Sequence, residues 1–262
     1  ENRMLGEMYL RQPYRGNGSY SEGKPDINAG PVDGMIRTES DMAWVKAMIA
    51  DGYKFNGVTK VAKDQLWYGD LIYADANGDG NYGDTNDMNF TGTSTQPRYN
   101  FGLNLSVAYK GFDFYMLWAG SAGFDLYWNH SSYNGTRTEN GFGISQRVAD
   151  NHYFYNPENP SDSRTNITAK YPRITDQTQR DNGTSSVFWK YKGDYVKLKN
   201  IQIGYTIPVK WTRKFMVEKL RFYFSGENLL TITSYPGLDP EMGTSITYPL
   251  TRQFAFGAQL SF

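Results

Sequence analysis

Residues 252–262 read RQFAFGAQLSF, and the alternation within them decides the fold class. Phe254, Phe256, Ala258, Leu260 and Phe262 occupy every second position, with Gln253, Ala255, Gly257, Gln259 and Ser261 between them. In a β-strand a period of two sends the first set to one face and the second set to the other. About ten residues is the length of a tilted strand that crosses a bilayer, whereas strands in soluble proteins average about five or six. A lipid-facing row accounts for Phe254, Phe256, Leu260 and Phe262 better than a core-facing one, and the strand is expected to end the chain on an outward aromatic.

The same period runs upstream. In YNFGLNLSVAY (99–109) Phe101, Leu103, Leu105, Val107 and Tyr109 share one face, and Asn100, Gly102, Asn104, Ser106 and Ala108 share the other. After a tight Lys110–Gly111 turn, Phe112, Phe114, Met116 and Trp118 repeat the pattern as a hairpin partner. Further strand candidates are 5–11, 185–192, 194–208 and 219–230. Within 194–208 the apolar parity switches between Leu198 and Ile201, which predicts a bulge or a passage out of the membrane. About seven strands separated by long loops cannot satisfy their own edges in lipid, and single-chain bacterial barrels close with even counts. The expectation is therefore an all-β fold, one arc of a larger antiparallel transmembrane barrel.

Two regions interrupt the strands. Residues 38–51 (TESDMAWVKAMIAD) predict one short helix, capped by Thr38 or Ser40, with Glu39 and Asp41 at its positive end and Gly52 as its stop. Residues 129–182 are rich in Asn, Asp, Ser and Pro and read as a long external loop. The organisation expected is 1–96 as a strand with a loop region, carrying the helix and an Asp/Asn/Gly-rich loop at 75–87. Residues 97–262 then supply the membrane strands.

Composition narrows the function classes. Aromatics make up 16% of the 262 residues while mean hydropathy is −0.64, the pairing expected of strands with one apolar and one wet face. No stretch reaches about 18 consecutive apolar residues, so a helical membrane span is not expected. The 27 basic residues balance the 27 acidic ones, which gives no general attraction to nucleic acid. The absence of cysteine removes disulfide and thiolate chemistry. His130 and His152 stand outside any metal-ligand spacing, GNGS at 16–19 lacks a phosphate-loop context, and no acid pair suggests catalysis, so an enzyme is not expected. Glu1 opens without a signal peptide, from which a cut or incomplete envelope protein is expected.

The order of several segments resembles the SusC/RagA-like, TonB-dependent transporter family. They are GDLIYADANGDG (69–80), PRYNFGLNLSVAYKGFDFYMLWAG (97–120), GDYVKLKNIQIGYTIP (193–208), LRFYFSGENLLTIT (220–233), YPGLDPE (235–241) and YPLTRQFAFGAQLSF (248–262). DGMIRTE (33–39) and the helix that follows fit the same pattern. The resemblance implies the C-terminal part of an outer-membrane barrel of about 22 strands. It also implies an N-terminal plug, energy coupling through TonB, a SusD-like surface lipoprotein as lid, and an oligosaccharide or peptide as cargo. Plug, coupling box and most of the barrel are absent from these residues. The competing reading is a β-rich surface glycan-binding module without transport. A calcium-bearing glycan hydrolase would need an acid pair in a cleft.

Three groups of residues invite a site reading. In DANGDGNYGDTND (75–87), Asp75, Asn77 and Asp79 take positions 1, 3 and 5 of an EF-hand-like calcium loop, and Gly80 takes the turn position. Asn81 and Asp87 complete the candidate ligand set, but Asn86 stands where a bidentate carboxylate belongs, and plain Asx turns explain the same residues. The loop aromatics Tyr127, Trp128, Tyr133, Tyr153, Phe154 and Tyr155 could stack on sugar rings or serve as packing and interfacial girdle. Finally, Phe254, Phe256, Leu260 and Phe262 resemble the aromatic-ended strand by which the insertion machinery recognises such barrels. Asp239 and Glu241 are expected to be structural, and Trp44 with Met48 to be packing.

Overall fold

The computed structural model describes residues 3–23, 26–128, 143–175, 182–245, 248 and 250–262. His130 and Tyr133 lie outside them. The described residues form strands β1 Glu7–Leu10, β2 Lys54–Phe55, β3 Asn81–Tyr82, β4 Asn89–Ser94, β5 Tyr99–Tyr109, β6 Phe112–Ala122, β7 Asp125–Tyr127, β8 Lys190–Lys192, β9 Tyr195–Thr206, β10 Lys219–Thr233 and β11 Gln253–Ser261. Contacts divide the chain into two compact units, the first chiefly 7–93 with 127–190 and the second chiefly 94–126 with 191–262. The long loop thus joins the first unit.

The first unit holds the helix α1, Glu39–Ala50. Thr38 caps it: its hydroxyl accepts from the Asp41 N–H at 3.1 Å, and the Asp41 carboxylate accepts from the Thr38 N–H at 2.9 Å. Met42, Trp44, Val45 and Met48 are buried. Trp44 stacks on Tyr14 at 4.8 Å, meets Phe55 and Tyr82 edge-on, and donates its indole N–H to the Asp26 carbonyl at 2.8 Å. Gly30 has no room for a side chain, because a Cβ there would lie 2.5 Å from the Trp44 ring. Met35, Ile36, Leu66, Leu71 and Ile72 extend this core. The stretch after α1, loop-like in sequence, therefore packs Phe55, Val58, Leu66, Leu71, Ile72 and Tyr82 onto the same core as α1. Its apolar residues follow neither strand nor helix period, because the segment turns every few residues.

The second unit is a five-stranded antiparallel sheet in the order β11-β10-β9-β6-β5. The expected strands are neighbours in the expected order, and β10 runs on to Thr233. Residues 185–192 differ from expectation: Val187–Trp189 is a 3-10 turn and only Lys190–Lys192 is strand. The reason is tertiary, since Trp189 is fully buried with its indole N–H on the Asn182 carbonyl at 2.8 Å. Lys110 (φ 46°) and Gly111 (φ 87°) make the two-residue hairpin loop between β5 and β6, whose two positive φ values match the strand twist.

Register gives the sheet two unlike faces. Directly opposed residues in an antiparallel pair share a face. Leu103, Trp118, Leu198, Leu230 and, further along, Leu105, Met116, Ile201 lie on one side, as do Val107, Phe114, Ile203, Phe224 and Phe256. Asn104, Leu117, Asn200 and Glu227 lie on the other, with Ser106, Tyr115, Gln202, Ser225 and Ala255. The parity switch in β9 is a bulge: both β6 and β10 pass from Asn200 to Leu198 and skip Lys199.

On the polar face Arg221 of β10 reaches over β9 to Asp113 of β6, with Nε donating at 2.9 Å and Nη2 at 2.5 Å. Gly204 lies beneath, and a Cβ there would be 2.5 Å from Nη2 and 2.6 Å from the Asp113 carboxylate. Gly204→Val should therefore break this three-strand clasp and cost about 1–3 kcal/mol by overpacking. Denaturant unfolding of the full-length polypeptide in detergent measures it. Equal stability of variant and wild type would show that Arg221 finds Asp113 by another route.

Candidate functional site

The residues expected to face lipid lie together. Phe254, Phe256 and Leu260 are on β11 and Phe262 follows it, with Phe256 83% and Phe262 80% exposed. Phe224 of β10 lies 5.0 Å from Phe256 and 6.1 Å from Phe254, ring centre to ring centre, and Leu220 is opposite Leu260. Across the sheet this face continues through Tyr205, Phe112 and Tyr109, and the Phe112 and Tyr205 rings are 4.4 Å apart. So many exposed rings on one continuous face exceed what a water-facing surface ordinarily carries.

The other face holds a buried charge cluster that the sequence reading did not find. Lys197 is only 1% exposed, and its ammonium donates to both Asp239 oxygens at 2.7 and 2.6 Å and to Glu241 at 2.8 Å. Lys199 reaches the same Glu241 oxygen at 2.6 Å. Asp239 also accepts from the Glu241 N–H at 2.9 Å, so the Asp-Pro-Glu turn is fixed at its start. Burial pushes the Glu241 carboxyl up, but hydrogen bonds from Lys197 and Lys199 outweigh it and leave the group below its usual value. The cluster latches the segment after β10 onto β9. Its structural role agrees with expectation; its partners, more than 40 residues away, carry no local signal.

The loop 75–87 is held by its own side chains. Asp75 accepts from the N–H groups of Gly78 (2.7 Å) and Gly80 (2.8 Å), Asn77 from Asp79 (2.9 Å), and Asp79 from Asn81 (2.8 Å). The Asn77 amide also donates to Asp79 at 2.9 Å, and with the Asn81 N–H it lowers the Asp79 pKa. Asn81 accepts from Gly57 N–H at 2.9 Å. Asp87 is turned inward and buried, accepting from Ala76 at 2.6 Å and from Gly83 at 2.7 Å. The Asn77 and Asp79 side chains are thus brought together beside the backbone that Asp75 holds, whereas the Asn81 side chain serves Gly57 and Asp84, and Asp87 serves the backbone. Among the described residues no group of three or more His, Asp or Glu side chains is placed as a metal centre.

Asp70, in the GDLIY segment, is a second feature the sequence reading missed. It is fully buried and accepts from Arg173 Nε at 2.6 Å, the Asn182 amide at 2.9 Å and the Trp67 N–H at 2.7 Å. Burial pushes its carboxyl up against the pull of Arg173. The pair ties the 57–80 region to the distant loop. Beside it opens a cavity of about 320 Å³ lined by Lys63, Trp67, Tyr68, Tyr155, Glu158 and Arg173, among others. The loop aromatics divide accordingly. Trp128 and Tyr153 are buried, with the Tyr153 hydroxyl on the Arg37 carbonyl at 2.6 Å, while Tyr155 lies 5.1 Å from Tyr68 at the cavity. The His152 ring contacts the Ala149 carbonyl at 2.6 Å.

Removing one member of a buried ion pair costs roughly 3–5 kcal/mol, because the other charge is left without a partner. Lys197→Met should destabilise the full-length polypeptide on that scale, and adding Asp239→Asn should recover part of the loss. Denaturant unfolding of both variants reads this out, and a harmless Lys197→Met would dissolve the latch. The depressed Glu241 pKa fixes the sign with pH: its contribution is complete above the ordinary glutamate range and is lost as pH falls through the lowered value.

No family model matches the chain. It is 31% identical over 235 residues to the TonB-dependent receptor P3 of Formosa agariphila, covering 80% of this chain and 22% of that protein. With the TonB-dependent receptor P39 of the same organism it is 27% identical over 281 residues, covering 100% of this chain and 25% of the relative. The chain therefore spans a quarter or less of the length of these relatives, which are receptors and not enzymes. Its fold is similar to that of the RagAB peptide importer in the closed-closed state, with TM-score 0.56 and 21% identity over 74% of this chain and 21% of that one. The open-open state gives TM-score 0.54. With 31% identity to the P3 receptor over four-fifths of its length, and a fold similar to that of the RagAB importer, the chain belongs to the TonB-dependent receptors.

Proposed function

We propose that the chain forms part of the wall and the loops of an active importer in the outer membrane of a Gram-negative bacterium. The observation that carries this reading is the two-faced sheet. Its apolar face suits lipid, its polar face suits a lumen, and β5 and β11 stand at its edges. Backbone groups on such edges cost several kcal/mol each in lipid, so further strands of the same polypeptide cover them, in a closed barrel of about 22 strands. A plug within the barrel, energy from TonB and a SusD-like lipoprotein over the loops complete the device. The cargo is an oligosaccharide or a peptide, and the aromatic cavity beside Trp67 and Tyr155 offers a stacking surface to either.

Phe256 and Gln259 separate this reading from a soluble glycan-binding module, since both are exposed and lie on opposite faces. A lysine on the lipid face costs up to about 2–4 kcal/mol near mid-membrane, whereas lumen positions tolerate charge. In the full-length polypeptide Phe256→Lys should lower the yield of heat-modifiable, protease-resistant barrel, and Gln259→Lys should leave it unchanged. The same assay on Phe262→Ser tests the assembly role of Phe254, Phe256, Leu260 and Phe262. Equal yields from all variants, together with solubility without detergent, would sink the membrane reading. A barrel that never co-purifies with a lipoprotein would remove the lid.

The 75–87 loop enters the proposal as a calcium site formed by Asp75, Asn77, Asp79 and Asn81, with Asp87 supporting the backbone behind them. Calcium in millimolar excess should raise the unfolding temperature of the full-length polypeptide, and Asp75→Asn with Asp79→Asn should abolish the rise. No shift with calcium returns the loop to turn chemistry alone.

A further inference from the structure

The turn joining β9 to β10 places cations and exposed rings side by side. It begins with a helical turn, Val209–Thr212, and continues as a 3-10 turn, Arg213–Phe215, that ends at Met216 with φ 56°. Thr212 is buried, and its hydroxyl donates to the Val209 carbonyl at 3.3 Å, which pins the turn from inside. The apolar side chains point out instead: Trp211 is 58%, Phe215 76% and Met216 85% exposed. Lys210, Arg213 and Lys214 are exposed between them, and among the described residues none of the three forms an ion pair.

The turn leaves the sheet at the end that carries an aromatic row. Tyr109, Phe112 and Tyr205 make a row of rings across the ends of β5, β6 and β9, and the Thr206 N–H donates to the Gly111 carbonyl at 2.7 Å. Lys110 lies in the adjoining hairpin loop and Lys219 opens β10, so the basic side chains gather just beyond the aromatic row. Glu218 is the one acid between Ile207 and Lys219. In a chain whose 27 basic and 27 acidic residues cancel, this end of the sheet is locally cationic.

Aromatic rings settle at the boundary between hydrocarbon and headgroups, and lysine and arginine reach from there into the headgroup layer. A basic cluster at that depth is drawn to anionic lipid. We propose that the 207–219 turn is an anchor that docks on anionic phospholipid headgroups, with Trp211 and Phe215 seated at the boundary and Lys210, Arg213 and Lys214 on the phosphates. The anchor rests on the membrane reading above and assigns a lipid class to one end of that wall.

Native mass spectrometry of the full-length polypeptide, extracted from nanodiscs of equal phosphatidylglycerol and phosphatidylcholine, tests the anchor. Wild type should retain phosphatidylglycerol over phosphatidylcholine by roughly tenfold, and Lys210→Ser with Arg213→Ser and Lys214→Ser should bring the ratio close to one. Lys210→Arg with Lys214→Arg should keep the preference, and heat-modifiable migration should be the same in every variant. An even ratio in wild type overturns the anchor, and so does a preference that survives the triple substitution. Loss of phosphatidylglycerol to millimolar inorganic phosphate overturns it too, by showing a free-phosphate site. Retention of neither lipid, with a protein soluble without detergent, rejects the membrane reading itself.

Discussion

The bulge at Lys199 is the constraint on which the second unit depends. In unbroken alternation Lys197 and Lys199 would share a face with Ile201 and Ile203, and two ammonium groups would stand in the apolar row. Skipping one residue moves the parity. Val196, Leu198, Ile201, Ile203 and Tyr205 then join the apolar face, while Lys197, Asn200 and Gln202 keep the polar one. Lys199, freed from the ladder, turns to Glu241.

The lysine cluster on the polar side follows from that. With both lysines on one face, Asp239 and Glu241 can close over them, and the segment after β10 is held on the sheet's polar face rather than left as a free loop. Two carboxylates and two ammonium groups compensate one another, with Lys197 almost fully enclosed. Nearer the other end the Arg221–Asp113 clasp spans three strands, which is possible only because Gly204 leaves space between them. These contacts tie β6, β9, β10 and the segment after β10 together without placing charge on the apolar face.

The first unit solves a different problem. Its ladders are short two-stranded pairs, so side chains satisfy much of the remaining backbone: Asp75, Asn77, Asp79 and Asp87 accept from nearby N–H groups, and Asp70 gathers Arg173, Asn182 and Trp67. The Asp/Asn/Gly-rich stretch is explained by this accounting before any ion is invoked. Buried Asp70 and Asp87 are tolerated because each is hydrogen-bonded.

The sequence by itself determined what depends on neighbours two to four positions apart. The long strands from Tyr99 onward, their apolar rows, the Lys110–Gly111 turn, the Thr38 cap and the presence of an irregularity between Leu198 and Ile201 are all local patterns, and the family resemblance rests on the same segments. Tertiary structure decided what depends on distance along the chain. Nothing near Lys197 announces Asp239, nothing near Asp70 announces Arg173, and the alternation in 185–192 gives way because Trp189 finds a buried place. Period and turn chemistry are properties of a short peptide. A charge can be buried only when the fold delivers its partner, so those pairings exist only in the folded chain.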